Sequence, residues 1–300
     1  MPSIVRARAS KSCTPMLSIP LAAALIKPRI GMMVVISTLL GYLLAGGSIW
    51  DWQLVIFTLV GTALSCSGAS TLNNYLERDV DSLMRRTCGR PLPKGKVAPA
   101  DALSFGIILV LSGVVMLAWL VNLLTGFLAL LTCFLYVLVY TPLKRKTWLN
   151  TIIGAIPGAI PPLGGWAAAT DSLGMGVWIL FLIMFLWQHP HFYAIAWMYR
   201  EDYARGGFKM LPVVEPDGRS TFRQIVLFSV ALILVSLLPA LYGSQGLIYT
   251  LGALIGGGLT LYYGLILRKS ASEFDARSLM RATLLYFPIL LVCVILESAV

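Results

Sequence analysis

NNYLERDVD (residues 73–81) is the most informative stretch of the chain, because it places amides and carboxylates where a long apolar segment ends. On a helix, Asn73, Glu77 and Asp81 recur at i, i+4 and i+8, so their oxygens line one face at a membrane edge. Mg²⁺ is commonly bound by one or two carboxylates together with the oxygens of a phosphorylated substrate. The spacing therefore predicts a site for diphosphate chemistry beside lipid. The alternative is a solvated helix end whose charges only pair along the helix, such as Arg78 with Asp81.

The composition around this stretch is that of a membrane protein. Of the 300 residues, 58% are hydrophobic and 12% are charged, and the mean hydropathy is +0.83, so one soluble core cannot hide the apolar surface. A helix of about 20 apolar residues crosses the hydrocarbon, and nine such segments predict an all-α, polytopic membrane protein. We place them at about 28–48, 53–72, 101–121, 124–142, 152–170, 175–195, 223–243, 246–267 and 280–298.

The basic residues follow one side of these nine segments. All 23 Lys and Arg fall in the tail 1–27, in every second loop, or at the helix ends next to those loops, whereas the other side carries only Asp51, Asp171 and Glu297. The positive-inside rule then predicts a cytoplasmic N-terminal tail (1–27), a transmembrane domain (28–298) and an outside C-terminus. We expect the bacterial inner (cytoplasmic) membrane, with the mitochondrial inner membrane as the alternative. No nucleic-acid partner is expected, because topology explains the charge.

The loops show a weak repeat in which a long loop of acids and bases is followed by a short basic one. The long loops follow the second and sixth segments, and the short ones follow the fourth and eighth. Duplicated membrane folds build their sites at the interface between such repeats. The repeat therefore predicts that the two long acidic loops lie together.

Five motifs, in the same order along the chain, resemble the UbiA superfamily of intramembrane prenyltransferases. They are IKPRIG (26–31), NNYLERDVDSLMRRTCGRPLP (73–93), YTPLKRKTWLNTIIGAIPGAIPPLGGW (140–166), WQHPHF (187–192) and DYARGGFKMLPV (202–213). The second is similar to the superfamily's first aspartate-rich motif. The last three are similar to the protoheme IX farnesyltransferase (haem O synthase) branch, which IKPRIG also fits. The resemblance implies a UbiA-like helical bundle with its active-site loops on the cytoplasmic side. It also implies Mg²⁺-dependent transfer of the farnesyl group of farnesyl diphosphate to a vinyl group of haem b.

The resemblance also implies metal ligands from two acidic motifs, namely Asn73, Glu77, Asp81 and Asp202. The first motif departs from the superfamily pattern, because Asn74 and Glu77 stand where Asp is frequent. The second motif is incomplete, because Met198 stands where the superfamily's DxxxD pattern has its first Asp, and only Asp202 carries over. Asp202 has an alternative role, since it can pair with Arg205 at i+3.

Cations and amides complete the implied site, since guanidinium groups and Lys suit phosphate oxygens. The catalytic candidates are Asn73, Glu77, Asp81, Lys144 and Arg145, and the substrate-binding candidates are Asn74, Arg86, Arg90, Asn150 and His191. The cations have an alternative role as positive-inside anchors or lipid-headgroup contacts. Asn150 has an alternative role as a helix cap.

His189 and His191 are the only histidines and lie at the end of the sixth segment. A neutral imidazole is a common axial ligand of haem iron. The resemblance favours His191, which fits the fixed part of the family's WQxPHF pattern, while His189 occupies its variable position. The alternative for both is a packing role.

Two alternative functions and the expected partners complete the interpretation of the sequence. A quinone precursor is the alternative prenyl acceptor, and a secondary transporter is the alternative from another class, since transporters also use repeats and intramembrane polar groups. Expected partners are farnesyl diphosphate, haem b and the lipid bilayer. A haem A synthase or a terminal oxidase assembly factor is a possible protein partner.

Overall fold

The computed structural model describes residues 18–243 and 245–297, and this part of the chain is built of helices joined by loops without strands. The helices are α1 Ile19–Ile26, α2 Pro28–Leu44, α3 Trp52–Asp81, α4 Pro99–Leu120, α5 Leu123–Phe134, a π-helix Leu135–Tyr140, α6 Thr141–Leu143, α7 Asn150–Ala159, α8 Pro161–Thr170, α9 Met175–Met198, α10 Arg200–Arg205, α11 Leu211–Val214, α12 Arg219–Ser236, α13 Leu238–Leu241, α14 Leu247–Ser270 and α15 Glu273–Glu297.

Within the described residues, eight helical stretches are long and apolar enough to cross a membrane. The ninth is the pair α1 and α2, which meets the criterion only together and is bent by 55°. The all-α prediction is confirmed, and the predicted nine spans match this count when the bent pair is one span. The predicted tail is described only from residue 18 onward, and residue 298, the predicted end of the domain, lies outside the described residues.

The bend between α1 and α2 is built by two adjacent residues. Lys27 has a left-handed backbone, with φ of 51° and ψ of 65°, which is uncommon for a residue with a Cβ. Pro28 begins α2 without a backbone N–H to donate. α1 then packs through the fully buried Leu25 against Leu92 and Val97 of the loop after α3. The bend therefore lays α1 across that loop and places Lys27 beside α3.

α3 is nine residues longer at its end than the predicted segment 53–72, and it carries the whole stretch 73–81 as helix. Asn73, Glu77 and Asp81 lie on one face, as the spacing predicts, and all three are buried. The helix continues past the apolar residues because other parts of the chain cover this polar face. The predicted row of oxygens therefore faces protein.

Glycines allow α2 and α8, which are far apart in sequence, to pack closely against each other. A Cβ on Gly165 would lie 1.9 Å from the backbone oxygen of Thr38, and a Cβ on Gly41 would lie 2.0 Å from that of Pro162. α9 packs against α7, α12 and α15. The central helix α9 is therefore enclosed, and its polar side chains must find partners on its neighbours.

Candidate active site

The two carboxylates of the α3 face each meet a cation from elsewhere in the chain. Lys144 Nζ lies 2.8 Å from Glu77 Oε1, and an Arg90 guanidinium nitrogen lies 2.6 Å from Asp81 Oδ2. Glu77 is 7% exposed and Asp81 is 1% exposed. The predicted helix face is therefore a buried row of charge pairs. The alternative of a solvated helix end does not describe it.

Asn73 joins three elements through hydrogen bonds. Lys27 Nζ donates to Asn73 Oδ1 at 2.8 Å, and Asn73 Nδ2 donates to Thr141 Oγ1 at 3.1 Å. Thr141 donates in turn to the Tyr136 carbonyl at 2.9 Å, inside the π-helix. A π-helical turn frees carbonyls from the α-helical pattern and is frequent at functional sites. Asn73 thus holds a lysine ammonium against the acidic face of α3.

Asn74 points towards α1. Its Nδ2 donates to the Leu25 carbonyl at 2.9 Å, while its Oδ1 is buried without a hydrogen-bond partner. A buried amide oxygen without a partner is costly. Asn74 therefore anchors α1 and leaves one oxygen available.

Lys144 is enclosed by aromatic rings beside Glu77. Its Nζ lies 4.7 Å from the ring centroid of Tyr140 and 5.8 Å from that of Phe208, within cation–π range. Burial lowers the pKa of Lys144, but the neighbouring Glu77 carboxylate raises it, and the result is a raised pKa. Lys144 is therefore a permanent cation of the cluster. Arg145, next in the chain, is exposed.

Asp202 reaches the loop that follows α3. Its Oδ1 accepts the Arg85 N–H at 3.1 Å and its Oδ2 accepts the Arg86 N–H at 3.0 Å, and Arg205 donates to Oδ1. Burial raises the pKa of this carboxyl, but the hydrogen bonds from Arg205, Arg86 and Arg85 lower it, and the result is a lowered pKa. The prediction that the two acidic loops lie together is confirmed, and so is the pairing of Asp202 with Arg205.

Arg86 is held by two tyrosines around α10. Its guanidinium carbon lies 4.7 Å from the ring centroid of Tyr199 and 5.7 Å from that of Tyr203. It also donates to the Tyr203 hydroxyl at 3.4 Å. The Arg86 side chain therefore has a defined place beside Tyr199 and Tyr203.

Asn150 ties two loops together at the start of α7. Its Nδ2 donates to the carbonyls of Thr147 and Lys209 at 2.6 and 2.8 Å. The Lys209 N–H donates to the Lys144 carbonyl at 2.8 Å. These contacts make Asn150 a structural support for the loop that carries Lys144. Its contact with substrate stays a prediction.

Hydrogen bonds fix the tautomer of His191. The Thr283 hydroxyl donates to the Met280 carbonyl at 2.7 Å, so it accepts from His191 Nδ1 at 2.8 Å. Nδ1 therefore carries a proton, and in the neutral ring Nε2 keeps a lone pair. The ring stacks on Trp187 with centroids 5.2 Å apart.

His189 has the same tautomer in a tighter place. Its Nδ1 lies 2.7 Å from the Phe185 carbonyl, which can only accept, and its Nε2 is buried without a partner. The ring is fully buried and stacks on Phe228 with centroids 3.8 Å apart. The two histidines thus face different helices, α12 for His189 and α15 for His191.

Comparisons with known proteins give this cluster its context. The sequence model of the UbiA prenyltransferase family matches residues 34–287 of this chain. The chain belongs to the UbiA prenyltransferase family. It is therefore an enzyme of the prenyltransferase class, and the transporter alternative is wrong.

The resemblance to the protoheme IX farnesyltransferase branch is confirmed by two relatives that carry that name. The protein of Solibacter usitatus (strain Ellin6076) is 48% identical over 89% of this chain and 94% of its own. The protein of Salinibacter ruber (strain DSM 13855 / M31) is 45% identical over 88% of this chain and 93% of its own.

Solved structures of UbiA proteins share the fold. A digeranylgeranylglyceryl phosphate synthase matches with a TM-score of 0.73 at 20% identity, covering 93% of this chain and 98% of its own. A UbiA homologue from Archaeoglobus fulgidus, described as bound to GPP and Mg²⁺, matches with a TM-score of 0.66 at 16% identity over 91% of this chain and 99% of its own. At these identities the likeness shows the UbiA fold alone.

The oxygen donors on α3 suit a metal ion shared with a phosphorylated substrate. Asp81 Oδ1 is buried without a hydrogen-bond partner, so its lone pairs are free. Among the described residues, no group of three or more His, Cys, Asp or Glu side chains could enclose a metal. Mg²⁺ typically takes one or two carboxylates and completes its octahedron with water and phosphate oxygens. The donor set therefore fits such a shared Mg²⁺ and does not fit an all-protein cage.

Sequence reasoning did not single out Lys27, although the structure puts its ammonium on Asn73. The available signal was a lysine directly before Pro28, within the family-like motif at the start of the first span. Tyr199 and Tyr203 were also missed, because aromatic residues next to a membrane segment ordinarily read as interface anchors.

Proposed function

We propose that this UbiA enzyme transfers the farnesyl group of farnesyl diphosphate to a vinyl group of haem b. Diphosphate leaves, a C–C bond forms to the vinyl group, and water adds with loss of a proton, which gives the hydroxyethylfarnesyl side chain of haem O. The observation that carries the proposal is the buried row of Asn73, Glu77 and Asp81 with cations in contact. The two named protoheme IX farnesyltransferases support the choice of substrates.

The first chemical requirement is loss of diphosphate. Breaking the allylic C–O bond puts growing negative charge on the leaving group, and preorganised cations in a site with little water stabilise that charge. Lys27, Lys144 and Arg90 are the cations that stand on the α3 face. We propose that all three donate to the diphosphate when it is bound, with Arg86 and Arg145 at the edge of the site.

Asn73, Glu77 and Asp81 would hold Mg²⁺ on the same face, and Asn74 would contribute its available oxygen to substrate or metal. When bound, the ion neutralises diphosphate charge and assists departure of the leaving group. Lys144 and Arg90 now neutralise the two carboxylates. With Glu77 and Asp81 holding the ion, Lys144 and Arg90 would donate to the diphosphate oxygens, so each charged side chain would keep a partner of opposite charge.

The acceptor requires a second binding region, and the histidine stretch of α9 supports haem. His191 Nε2 keeps a lone pair because Thr283 holds the proton on Nδ1, which is the state that ligates haem iron. His191 is the proposed haem contact, and Asn150 would orient substrate from its place behind Lys144. A quinone precursor has no iron to ligate, so haem binding separates the two acceptors.

The same proposal places the protein in a membrane. We propose that the protein spans the inner membrane with its diphosphate site on the cytoplasmic side, because the positive-inside rule predicts the basic loops there. A haem A synthase or a terminal oxidase assembly factor would then receive the product. Cross-linking in membranes tests that partnership.

The deciding experiment incubates purified protein with haem b, farnesyl diphosphate and Mg²⁺ and measures the mass of the haem product. We expect a farnesylated, hydrated haem that is absent without Mg²⁺. A parallel incubation replaces haem with a 4-hydroxybenzoate-type phenol. Prenylation of the phenol without farnesylation of haem would overturn the proposed acceptor and keep the prenyl donor.

A further inference from the structure

Asp202 is almost fully occupied by contacts inside the protein. Its Oδ1 accepts from Arg85 N–H and from Arg205, and its Oδ2 accepts from Arg86 N–H. An ionised carboxylate offers about four lone-pair positions, so three are in use. Asp202 and the two amides it binds are 116 and 117 residues apart. These contacts therefore join the segments that carry the two acidic motifs.

The segment 199–206, which contains α10, contacts the same loop in two further ways. The rings of Tyr199 and Tyr203 lie beside the Arg86 guanidinium. Met84 of the loop is 2% exposed and packs against Tyr203 in a small hydrophobic cluster. A Cβ on Gly206 would lie 3.1 Å from Met84 Sδ, so the packing at this point is close. The backbone of the loop, its buried methionine and its arginine are thus held by one short segment.

Within its own described segment, 198–205, Asp202 has no second carboxylate beside it that would complete the acidic motif. The position four residues earlier is Met198, which is buried in a cluster with Tyr193 and Trp197. The adjacent Glu201 is exposed. A carboxylate already bound to two backbone N–H groups would have to release both to bind a metal, leaving those donors without a partner.

We infer that Asp202 is a positioning residue that staples the 82–90 loop through the Arg85 and Arg86 amides, thereby fixing the place of Arg86 beside Tyr199 and Tyr203, and that it does not ligate the metal. The staple itself does not depend on the reaction. Its consequence for diphosphate binding rests on the proposed function.

Hydrogen exchange on the unmodified protein tests the staple directly. The Arg85 and Arg86 amides are followed in peptides covering 82–90, with and without Mg²⁺ plus inorganic diphosphate. A staple keeps both amides protected in the two conditions. Loss of protection when Mg²⁺ and diphosphate are added would show that Asp202 leaves the loop for the metal, and it would overturn the inference.

Variants give the second test. In Asp202→Asn the Nδ2 group cannot accept an N–H, so we expect roughly tenfold faster exchange of these amides. The control Glu201→Gln changes the neighbouring, exposed carboxylate and should exchange like the parent. Unchanged exchange in Asp202→Asn would overturn the staple, whatever happens to turnover.

Kinetics separate positioning from metal binding. Asp202→Asn should raise the KM for prenyl diphosphate roughly tenfold and leave the Mg²⁺ activation constant unchanged. Because Asp202 acts through Arg86, the same change in an Arg86→Ala background should have little further effect on that KM. A raised Mg²⁺ activation constant, or full additivity with Arg86→Ala, would overturn the inference. If no prenyl diphosphate is turned over by the parent, the proposed function fails while the exchange result still decides the staple.

Discussion

The acidic end of α3 and the histidine stretch of α9 are both polar, but they are satisfied in different ways. On α3, Glu77 and Asp81 meet Lys144 and Arg90 as charge pairs. On α9, His191 has no charged partner among the described residues, and its Nδ1 is held by the hydroxyl of Thr283. A buried charge needs an opposite charge, whereas a neutral polar group needs only a hydrogen bond. The first region therefore has the charges that the proposed diphosphate site requires, whereas the second has the neutral, aromatic surroundings that the proposed haem contact requires.

The largest expected effect concerns the side of the membrane on which the charged region lies. Reporter fusions after residues 95, 146, 215 and 272 should all report cytoplasm, and a fusion at the C-terminus should report the outside, because basic loops are retained on the cytoplasmic side. The readout is the activity of a reporter that works in only one compartment. A cytoplasmic C-terminus would reject the nine-span reading and leave an even number of crossings.

Asp81→Asn should abolish most turnover and leave the histidine region intact. An amide is a weaker metal ligand without charge, so we expect a loss of roughly 100-fold or more in Mg²⁺-dependent rate. The measurement is product formation against Mg²⁺ concentration, with haem binding followed by absorbance.

Asp79→Asn is the matched control for that change. Asp79 belongs to the same stretch, but its side chain is 83% exposed and its pairing with Arg78 spans 3.7 Å. Such a surface pair contributes little, so this variant should turn over like the parent. Near-normal activity of Asp81→Asn at normal abundance would move the metal site away from α3.

Lys144→Met should destabilise the fold as well as lower activity, because it leaves Glu77 as a buried charge. Removing one partner of a buried pair costs about 3 kcal/mol, whereas the double variant Glu77→Gln with Lys144→Met should recover part of that loss. Thermal unfolding in detergent measures both. A double variant less stable than Lys144→Met would show that the pair is not coupled.

The same pair predicts a pH dependence with a definite sign. Burial lowers the pKa of Lys144 and Glu77 raises it, with a raised pKa as the result. A raised lysine pKa gives stability that is fully present below the unfolded value of about 10.4 and is lost only as the pH rises through the folded value. The difference in Tm between parent and Lys144→Met should therefore stay constant from about pH 6 to about pH 9.

The sequence predicted the helices and the α3 face because both depend on local periodicity. Apolar runs of membrane length define the spans, and i, i+4, i+8 spacing places Asn73, Glu77 and Asp81 on one face whatever lies opposite. The pairing of Lys144 with Glu77 spans 67 residues. No local pattern encodes such a distance, so the partners of the carboxylates became visible only in the folded chain.

Lys27 and Asp202 show the limits of motif reasoning in opposite directions. Lys27 reaches Asn73 because its left-handed backbone bends the first span, and a bend of that kind has no sequence period. Asp202 sits in a family-like motif, yet its oxygens contact the backbone of Arg85 and Arg86. A motif selects the residue, but the neighbours in space decide what the carboxylate binds.

The smallest expected effect separates the two histidines. His191→Ala should weaken haem binding roughly tenfold and leave farnesyl diphosphate binding unchanged, because the charged residues around Glu77 and Asp81 belong to other elements. Haem titration by absorbance beside a diphosphate-binding assay measures both. Thr283→Val keeps the ring of His191 but removes its hydrogen-bond acceptor, so it should weaken haem binding by a smaller factor.

His189→Ala is the comparison that decides between ligation and packing. His189 is fully buried and stacks on Phe228, so removing its ring leaves a cavity that should cost about 2 kcal/mol or more in stability. Its haem affinity should nevertheless stay close to that of the parent, because its ring packs between α9 and α12, away from the Thr283 side of α9. If His191→Ala and His189→Ala both bind haem like the parent, both histidines are packing residues, and haem must then be recognised by other groups in the bundle.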